Sequence, residues 1–493
     1  MADRLRFGTA GLRAAMGDGP MRMNEKTVWL AATAVAQWLP PASTVIVGHD
    51  HRHGSWEFSN LTVSVLYEHG HTVRVFEDPV PTPVVAHVIA KTSAAGGVVV
   101  TASHNPATDN GYKVYGAKGG QILPAAAAEI EANMAALEWP DEVAMVEHLA
   151  EGLFDPDIDD YLDAIARPVA PRPLRIAYTA MHGVGGDLFV RALEAAAHEV
   201  VTVAQQHQPD PDFPTAPFPN PEEPGTLDLV MALATEAEAD LVMANDPDAD
   251  RLAVAVPADS DWRRLSGDEI GVLLGWYLLD RSDNPRSVAT TIVSSSLLGK
   301  VASARGATCH RTLTGFKWLM QEGTPVEPLV FAYEEALGYS VLPAIPDKDG
   351  ISAAVVFAEL ASVLAAGGRT IDDLLDEIYA EHGVHLTSQV SVRFEGDDPM
   401  TAMTALMAQL RADPPDNIGG YDVTAVEDFI DGGELPPSDV LMFHLDGGRL
   451  IVRPSGTEPK IKAYLEAVDG DRAAAELQLT QLTEGVSALL GRS

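Results

Sequence analysis

The sequence predicts an α/β protein: three consecutive α/β units on mixed or parallel sheets, then a smaller α+β unit. Three observations carry this. Short β-branched apolar runs alternate with stretches of helical spacing, the pattern restarts after proline-bearing joints, and near residue 387 the period changes from helical to strand-like. A chain of 493 residues also exceeds a single core, since one domain takes about 150 residues.

In the first unit, Thr44–Gly48 reads as a strand, Trp56–His69 as a helix, and Thr72–Phe76 as a strand. Pro83–Lys91 is helical and Gly97–Val100 is a third strand, so the spacing is that of βαβ units. Ala125–Ala136 and Ile158–Ala166 are expected to be helices that close the unit, and the joint Arg167–Pro173 ends it. Leu174–Tyr178 restarts the pattern as a strand, followed by a helix near Gly186–Ala197 and a strand at Val200–Val203. A Pro-rich loop covers roughly Pro209–Pro224, and strand Ala239–Ala244 and helix Asp268–Leu279 complete the second unit.

Asp283-Asn284-Pro285 opens the third unit, with strands at Val288–Val293 and Leu329–Ala332 and helices near Leu297–Arg305, at Ile351–Ala366 and at Ile371–His382. Beyond it, Gln389–Phe394 alternates as an antiparallel strand. Val440–Val452 reads as a hairpin turning at Asp446–Gly448, and Ala473–Leu490 as a closing helix. The expected domains are residues 1–168, 169–284, 285–386 and 387–493.

Composition narrows the function. With 33 basic and 71 acidic residues the net charge is −38, which argues against nucleic acid and anionic membrane surfaces as partners. An anionic substrate would need a few local cations to overcome the field of the whole chain. The single cysteine, Cys309, forbids an internal disulfide, fits a reducing compartment, and lies in no nucleophile motif. The charged start of the sequence does not read as a signal peptide, and no run of about twenty apolar residues occurs, so a cytoplasmic protein is expected.

Three loops carry chemistry. Thr101-Ala-Ser-His-Asn-Pro106 follows the strand ending at Val100, where α/β folds place ligands. Ser103 can be a nucleophile or phosphate carrier, with His104 as its proton or hydrogen-bond partner. Asn105-Pro106 and Asp109-Asn110-Gly111 are turn formers expected to hold that loop, with Lys113 following.

Asp246-Pro-Asp-Ala-Asp-Arg251 follows the next buried strand, and three alternating carboxylates can converge on one hard cation such as Mg2+. Arg453-Pro-Ser-Gly-Thr-Glu-Pro-Lys460 offers a guanidinium fork, hydroxyls and an open backbone amide to a phosphate dianion. Each of the three also admits a plain turn. In the stretch His49-Asp-His-Arg-His53, Asp50 and Arg52 are expected to brace a loop rather than to help bind zinc.

These motifs resemble the α-D-phosphohexomutase superfamily, the phosphoglucomutases and phosphomannomutases. Phe7-Gly-Thr-Ala-Gly-Leu-Arg13, Gly48–Arg52, Thr101–Pro106, Asp246–Arg251, Tyr333-Glu-Glu-Ala-Leu-Gly-Tyr339 and Arg453–Pro459 stand in the family's order over nearly the whole chain. The resemblance implies four domains around a central cleft, each donating one loop. It assigns Ser103 as the phosphorylated residue, and Asp246, Asp248 and Asp250 as Mg2+ ligands beside a phosphoserine oxygen.

By the same resemblance Glu334 and Glu335 accept hydrogen bonds from sugar hydroxyls, and Arg453, Ser455, Gly456 and Thr457 hold the non-reacting phosphate. His104, Lys113 and Arg13 match positions near the transferring group, with Lys113 as general acid/base. Arg251 offsets charge at the reacting centre. Thr314, Gly315 and Lys317 match a further substrate loop, and Lys348 adds a second cationic contact. A sugar bisphosphate such as glucose 1,6-bisphosphate is implied as intermediate and activator, and the fourth domain is expected to be the most mobile.

The sugar loop departs from the commoner Gly-Glu-x-Ser, with Tyr333 for the glycine and Ala336 for the serine. That version resembles the branch of bacterial α-phosphoglucomutases and animal phosphopentomutases. Glucose phosphate is the first expectation, with mannose and ribose phosphates as alternatives. From other classes come a Mg-dependent phosphohydrolase and a non-catalytic sugar-phosphate binder; the intact Ser103 and three aspartates weigh against the latter. The expected partner is a small phosphosugar, bound by a monomer or weak dimer.

Overall fold

The computed structural model describes residues 4–7, 11–145, 151–153, 155–259, 261–396, 398–455 and 459–491. The chain divides into two compact units, Met1–Ala289 with Gly315–Ile371, and Thr290–Thr314 with Asp372–Ser493.

The first unit holds two mixed α/β sheets. In the first sheet the strands run in the order Leu12–Ala15, Asp109–Gly116, Gly96–Val100, Thr44–His49, Thr72–Phe76, Glu151–Leu153. The last four are parallel, and Asp109–Gly116 runs antiparallel to both of its neighbours. The continuous apolar runs Val45-Ile-Val47 and Val98-Val-Val100 are fully buried, as strands covered on both faces require. Helices Glu25–Trp38, Ser55–Glu68 and Thr82–Thr92 supply the cover, the first of them begun by Asn24, whose side chain accepts from Thr27 N.

The second sheet has the order Asp261–Arg264, Ala253–Ala258, Leu241–Ala244, Arg175–Thr179, Glu199–Thr202. Its last three strands are parallel. Helix Gly267–Asp280 starts on a capping box of Ser266 and Glu269, and Gly350–Ala366 on Asp349. Strands Leu329–Glu334 and Gly338–Ser340 pair as a tight antiparallel hairpin.

The second unit is α+β. Its antiparallel sheet runs Val384–Arg393, Lys460–Asp469, Gly448–Pro454, Leu441–Leu445, Tyr421–Asp428, Asn417–Ile418, and helices Pro399–Ala412 and Arg472–Leu489 help close its core. The predicted hairpin at residues 440–452 forms, with Leu445 opposite Gly448.

The expected elements are present within a few residues of their predicted ends, and one expectation is corrected. Asp109-Asn110-Gly111 is not a turn but the start of a buried strand. Asn110 is held there by donating to His53 O at 2.9 Å and Ser55 Oγ at 3.0 Å. Gly111 is needed because a Cβ would stand 2.5 Å from Thr101 O. Short-range turn propensity yields to these tertiary partners. No single helix among the described residues is long and apolar enough to cross a membrane.

Candidate active site

Ser103 stands in the left-handed backbone region, φ 53°, directly after strand Gly96–Val100. Thr101 Oγ1 accepts from Ser103 N at 2.9 Å. Arg52 fixes the rest of the loop: it donates to Ser103 O and Asn105 O at 2.5 Å each, to Pro106 O at 2.7 Å and to Asp109 O at 3.2 Å. Asp50 aims Arg52 in turn, accepting from its main-chain N at 2.9 Å and lying 3.2 Å from its Nε. Asp50 and Arg52 therefore brace a loop as expected, but the loop that Arg52 holds is that of Ser103 rather than its own. Neighbouring His49 and His53 turn to Asp50 O and to Asp212.

Asp246, Asp248 and Asp250 leave the carboxyl end of strand Leu241–Ala244 and are wholly buried. Ala249, φ 56°, turns the backbone so that Ala249 N reaches Asp246 O at 2.9 Å, and this turn makes the alternate carboxylates converge. Asn245 ties the loop shut, donating to Arg251 O at 2.6 Å while accepting from the Tyr178 hydroxyl at 3.0 Å. One oxygen from each aspartate lies within 4.8 Å of the others, the single such group among the described residues.

The two loops meet. Ser103 Oγ donates to Asp246 Oδ2 at 2.9 Å and lies 3.2 Å from His104 Nδ1. Lys113 Nζ donates to Asp248 at 2.6 Å and to Asp250 at 2.9 Å, and Lys348 forms an ion pair with Asp250. Arg251 donates from its main chain to Asp246 Oδ1 at 3.0 Å, and Arg13 donates to Asn105 Oδ1 at 3.0 Å.

Burial, followed by the charges of Asp250 and Asp248, raises the pKa of Asp246. Burial works the same way on Asp248, but Lys113 and Lys348 outweigh it and hold that carboxyl below its usual range. Burial alone would lower Lys113, yet Asp248 and Asp250 keep its ammonium firmly charged. His104 goes the other way: burial, then Arg251 and Arg13, push it well below its usual value, so the ring is neutral at neutral pH.

The donor set suits a hard divalent cation. It is all oxygen, and Asp248 Oδ1 is buried without a hydrogen-bond partner, a costly state that a cation would relieve. Thr82, whose position carries no signal in the sequence, donates to Asp248 Oδ2 at 2.7 Å and leaves Oδ1 as the unmatched oxygen.

On the hairpin, Glu334 stands opposite Gly338, accepts from Gly315 N at 2.7 Å, and is raised by burial. Glu335 is half-buried beside it. Tyr333, the residue in place of the usual glycine, turns into the core: its hydroxyl donates to Asp268 at 2.9 Å and its ring lies where a Cβ on Gly271 would stand 2.4 Å away. Lys317 is buried, which lowers its pKa.

Thr314, Arg453 and Ser455 belong to the second unit, where Ser455 N donates to Lys460 O at 2.8 Å. Gly456 and Thr457, and residues 8–10 of the first motif, lie outside the described residues. The structure thus gathers Arg13, Ser103, His104, Lys113, Asp246, Asp248, Asp250, Arg251, Lys348 and Glu334 in the first unit.

A serine hydroxyl on a three-carboxylate, cation-ringed cluster is chemically suited to phosphoryl transfer. The class follows from four family models, all of phosphoglucomutase/phosphomannomutase, which match in order. Alpha/beta/alpha domains I, II and III match residues 4–141, 159–259 and 266–382, and the C-terminal domain matches 390–479. The chain belongs to this family of enzymes, the α-D-phosphohexomutase superfamily.

Among individual relatives, a probable phosphomannomutase of Haemophilus influenzae is 40% identical, over 95% of this chain and 98% of its own. A phosphopentomutase of Mus musculus is 36% identical over 94% and 84%, and a phosphoglucomutase of Staphylococcus haemolyticus 33% identical over 94% and 90%. The solved structure of a putative phosphomannomutase from Thermus thermophilus covers both chains fully with a TM-score of 0.79 at 22% identity, which speaks for the fold.

Proposed function

We propose that this mutase interconverts α-glucose 1-phosphate and glucose 6-phosphate through a phosphoserine at Ser103. The observation that carries the reading is the Ser103 hydroxyl 2.9 Å from Asp246, inside a buried three-aspartate cluster. In the first transfer a sugar hydroxyl attacks the phosphorus of phosphoserine 103. The new O–P bond forms as the Ser103 Oγ–P bond breaks, giving a sugar bisphosphate. The hydroxyl's proton passes to the protein, and Ser103 Oγ regains one. The second transfer reverses these steps with the sugar's other phosphate.

His104, neutral and 3.2 Å from Oγ, exchanges the serine proton. Lys113 is assigned to the sugar oxygen, taking its proton in the first transfer and returning one in the second; to act as base it must first give up the proton that Asp248 and Asp250 hold on it. Arg13, Arg251 and Lys348 offset the phosphate charge. A Mg2+ bound by Asp246, Asp248 and Asp250 would supply further charge stabilisation for the transferring group. In the second unit, Arg453 and Ser455, with Gly456 and Thr457, are assigned to the non-reacting phosphate. Thr314, Gly315 and Lys317 are assigned to the sugar. The proposed domains remain 1–168, 169–284, 285–386 and 387–493, the last carrying the phosphate loop as the mobile part.

Hexose is favoured because Glu334 spends one oxygen on Gly315 N and keeps the other for a hydroxyl, with Glu335 adjacent for a second. A pentose 1-phosphate is the second reading. The relative named phosphopentomutase supports it, as does the absence of the usual serine at Ala336. The test is glucose 6-phosphate formation from α-glucose 1-phosphate with Mg2+ and a trace of glucose 1,6-bisphosphate, beside mannose and ribose 1-phosphates. Turnover that falls to background in Ser103→Ala establishes the phosphoserine route. Release of inorganic phosphate without isomer would overturn it in favour of a hydrolase.

A further inference from the structure

The Pro-rich tract belongs to none of the motifs above, yet it touches Arg52, His104 and Arg251 beside the reaction centre of the first unit. Seven of the sixteen residues from Pro209 to Pro224 are proline, so much of the backbone is restrained before folding. The remaining freedom is taken up locally: Asp212 N and Glu222 N donate to the side chains of Asp210 and Asn220, at 3.0 and 3.2 Å. Ala216 N reaches Phe213 O at 2.9 Å.

From this stiff loop three side chains reach toward the centre. The buried Phe213 ring lies 4.8 Å from the guanidinium of Arg52, which holds the Ser103 loop. Phe218, 38% exposed, meets the His104 ring edge-on with centroids 6.4 Å apart. Glu222 Oε2 accepts from Arg251 NH1 at 2.9 Å, while Arg251 Nε stays 3.9 Å from Asp246.

We propose that loop 209–224 is a further working element of the reaction centre, with Glu222 the positioning residue for Arg251 and Phe218 that for His104. The inference rests on the phosphoserine reading above. Without Glu222, Asp246 is the carboxylate nearest Arg251, and the guanidinium would settle on it, away from the transferring phosphoryl group. Without the Phe218 ring, His104 is free to rotate off Ser103. Neither Glu222 nor Phe218 is needed for the core, since both are substantially exposed.

The test is a double-mutant cycle on kcat with the full-length enzyme, using Glu222→Gln, Arg251→Lys and the double variant, with Phe218→Leu assayed beside them. Expected is a kcat lower by on the order of tenfold in Glu222→Gln, with KM changed less than about twofold and an unshifted thermal midpoint. In the Arg251→Lys background Glu222→Gln should then add less than about a twofold loss. Glu222→Asp should recover part of the rate. For Phe218→Leu kcat should fall with KM and the thermal midpoint unchanged, and Phe218→Tyr, which keeps a ring against His104, should recover most of it; a wild-type kcat in Phe218→Leu would overturn the Phe218 assignment. Multiplicative losses in the cycle, or a wild-type kcat in Glu222→Gln, would overturn the assignment. If Ser103→Ala retains turnover instead, it is the phosphoserine reading that fails.

Discussion

At the scale of single residues, the reaction centre is a balance of buried charge. Three fully buried carboxylates are tolerated because Lys113, Lys348 and Arg251 pair with them, and even so Asp248 Oδ1 is left unmatched. Removing one member should therefore cost more than a surface pair would. We expect Lys113→Met to lose about 3–5 kcal/mol in urea unfolding, because buried Asp248 then keeps only the Thr82 hydroxyl and Asp250 only Lys348. Added Mg2+ should restore part of that loss, and should raise the thermal midpoint of the native enzyme by binding the folded state alone. In Asp248→Asn that rise should disappear; an undiminished Mg2+-induced shift would remove Asp248 from the ligand set. The residue types of this centre could be read directly from Thr101–Pro106 and Asp246–Arg251. Thr82 could not, because a threonine at the start of a helix has no pattern that distinguishes its partner from solvent.

At the scale of elements, two local devices set the sugar hairpin and the helix beside the reaction centre. Tyr333 fits because Gly271 on helix Gly267–Asp280 leaves it room, and Gly271→Ala should cost about 1–3 kcal/mol as a drop in thermal midpoint, since the methyl must push an aromatic ring aside. Helix Gly350–Ala366 begins at Asp349, which accepts from Ile351 N at 2.9 Å and from the Tyr161 hydroxyl at 3.0 Å. Burial lifts this carboxyl to about 6, above its unfolded value of about 3.9. A raised folded value means the stabilising contribution is complete below about pH 3.9 and is lost as pH rises through 6. Asp349→Asn should remove that decline. The difference between the unfolding free energies of variant and wild type should change by on the order of 2 kcal/mol between pH 4 and 6. A flat difference across that window would show that the carboxyl is not perturbed.

At the scale of the whole molecule, a net charge of −38 works against compactness. Raising NaCl from about 0.05 to 0.5 M shortens the screening length from roughly 14 to 4 Å, so the thermal midpoint should rise with salt rather than fall. A falling midpoint would mean that the local ion pairs outweigh the net repulsion. The antiparallel sheet of the second unit carries one such group: Glu466, buried, accepts from Arg449 Nε at 2.6 Å, Ser296 N at 2.7 Å and His385 Nδ1 at 2.9 Å.

The sequence alone determined the alternation of strands and helices, the change to an antiparallel C-terminal sheet, and the loops holding Ser103, the three aspartates and Arg453. Hydrophobic period and loop composition are local properties that a chain carries in one dimension. Only the tertiary structure decided that Asp109–Gly111 is strand, that Tyr333 is core, and that Arg52 serves the Ser103 loop. It also decided that a loop read only as a Pro-rich connection sets Phe218 and Glu222 against His104 and Arg251. Those partners are separated by about 30 to 115 positions in the chain. Their meeting depends on close packing and on satisfying buried polar groups, neither of which has a period along the sequence.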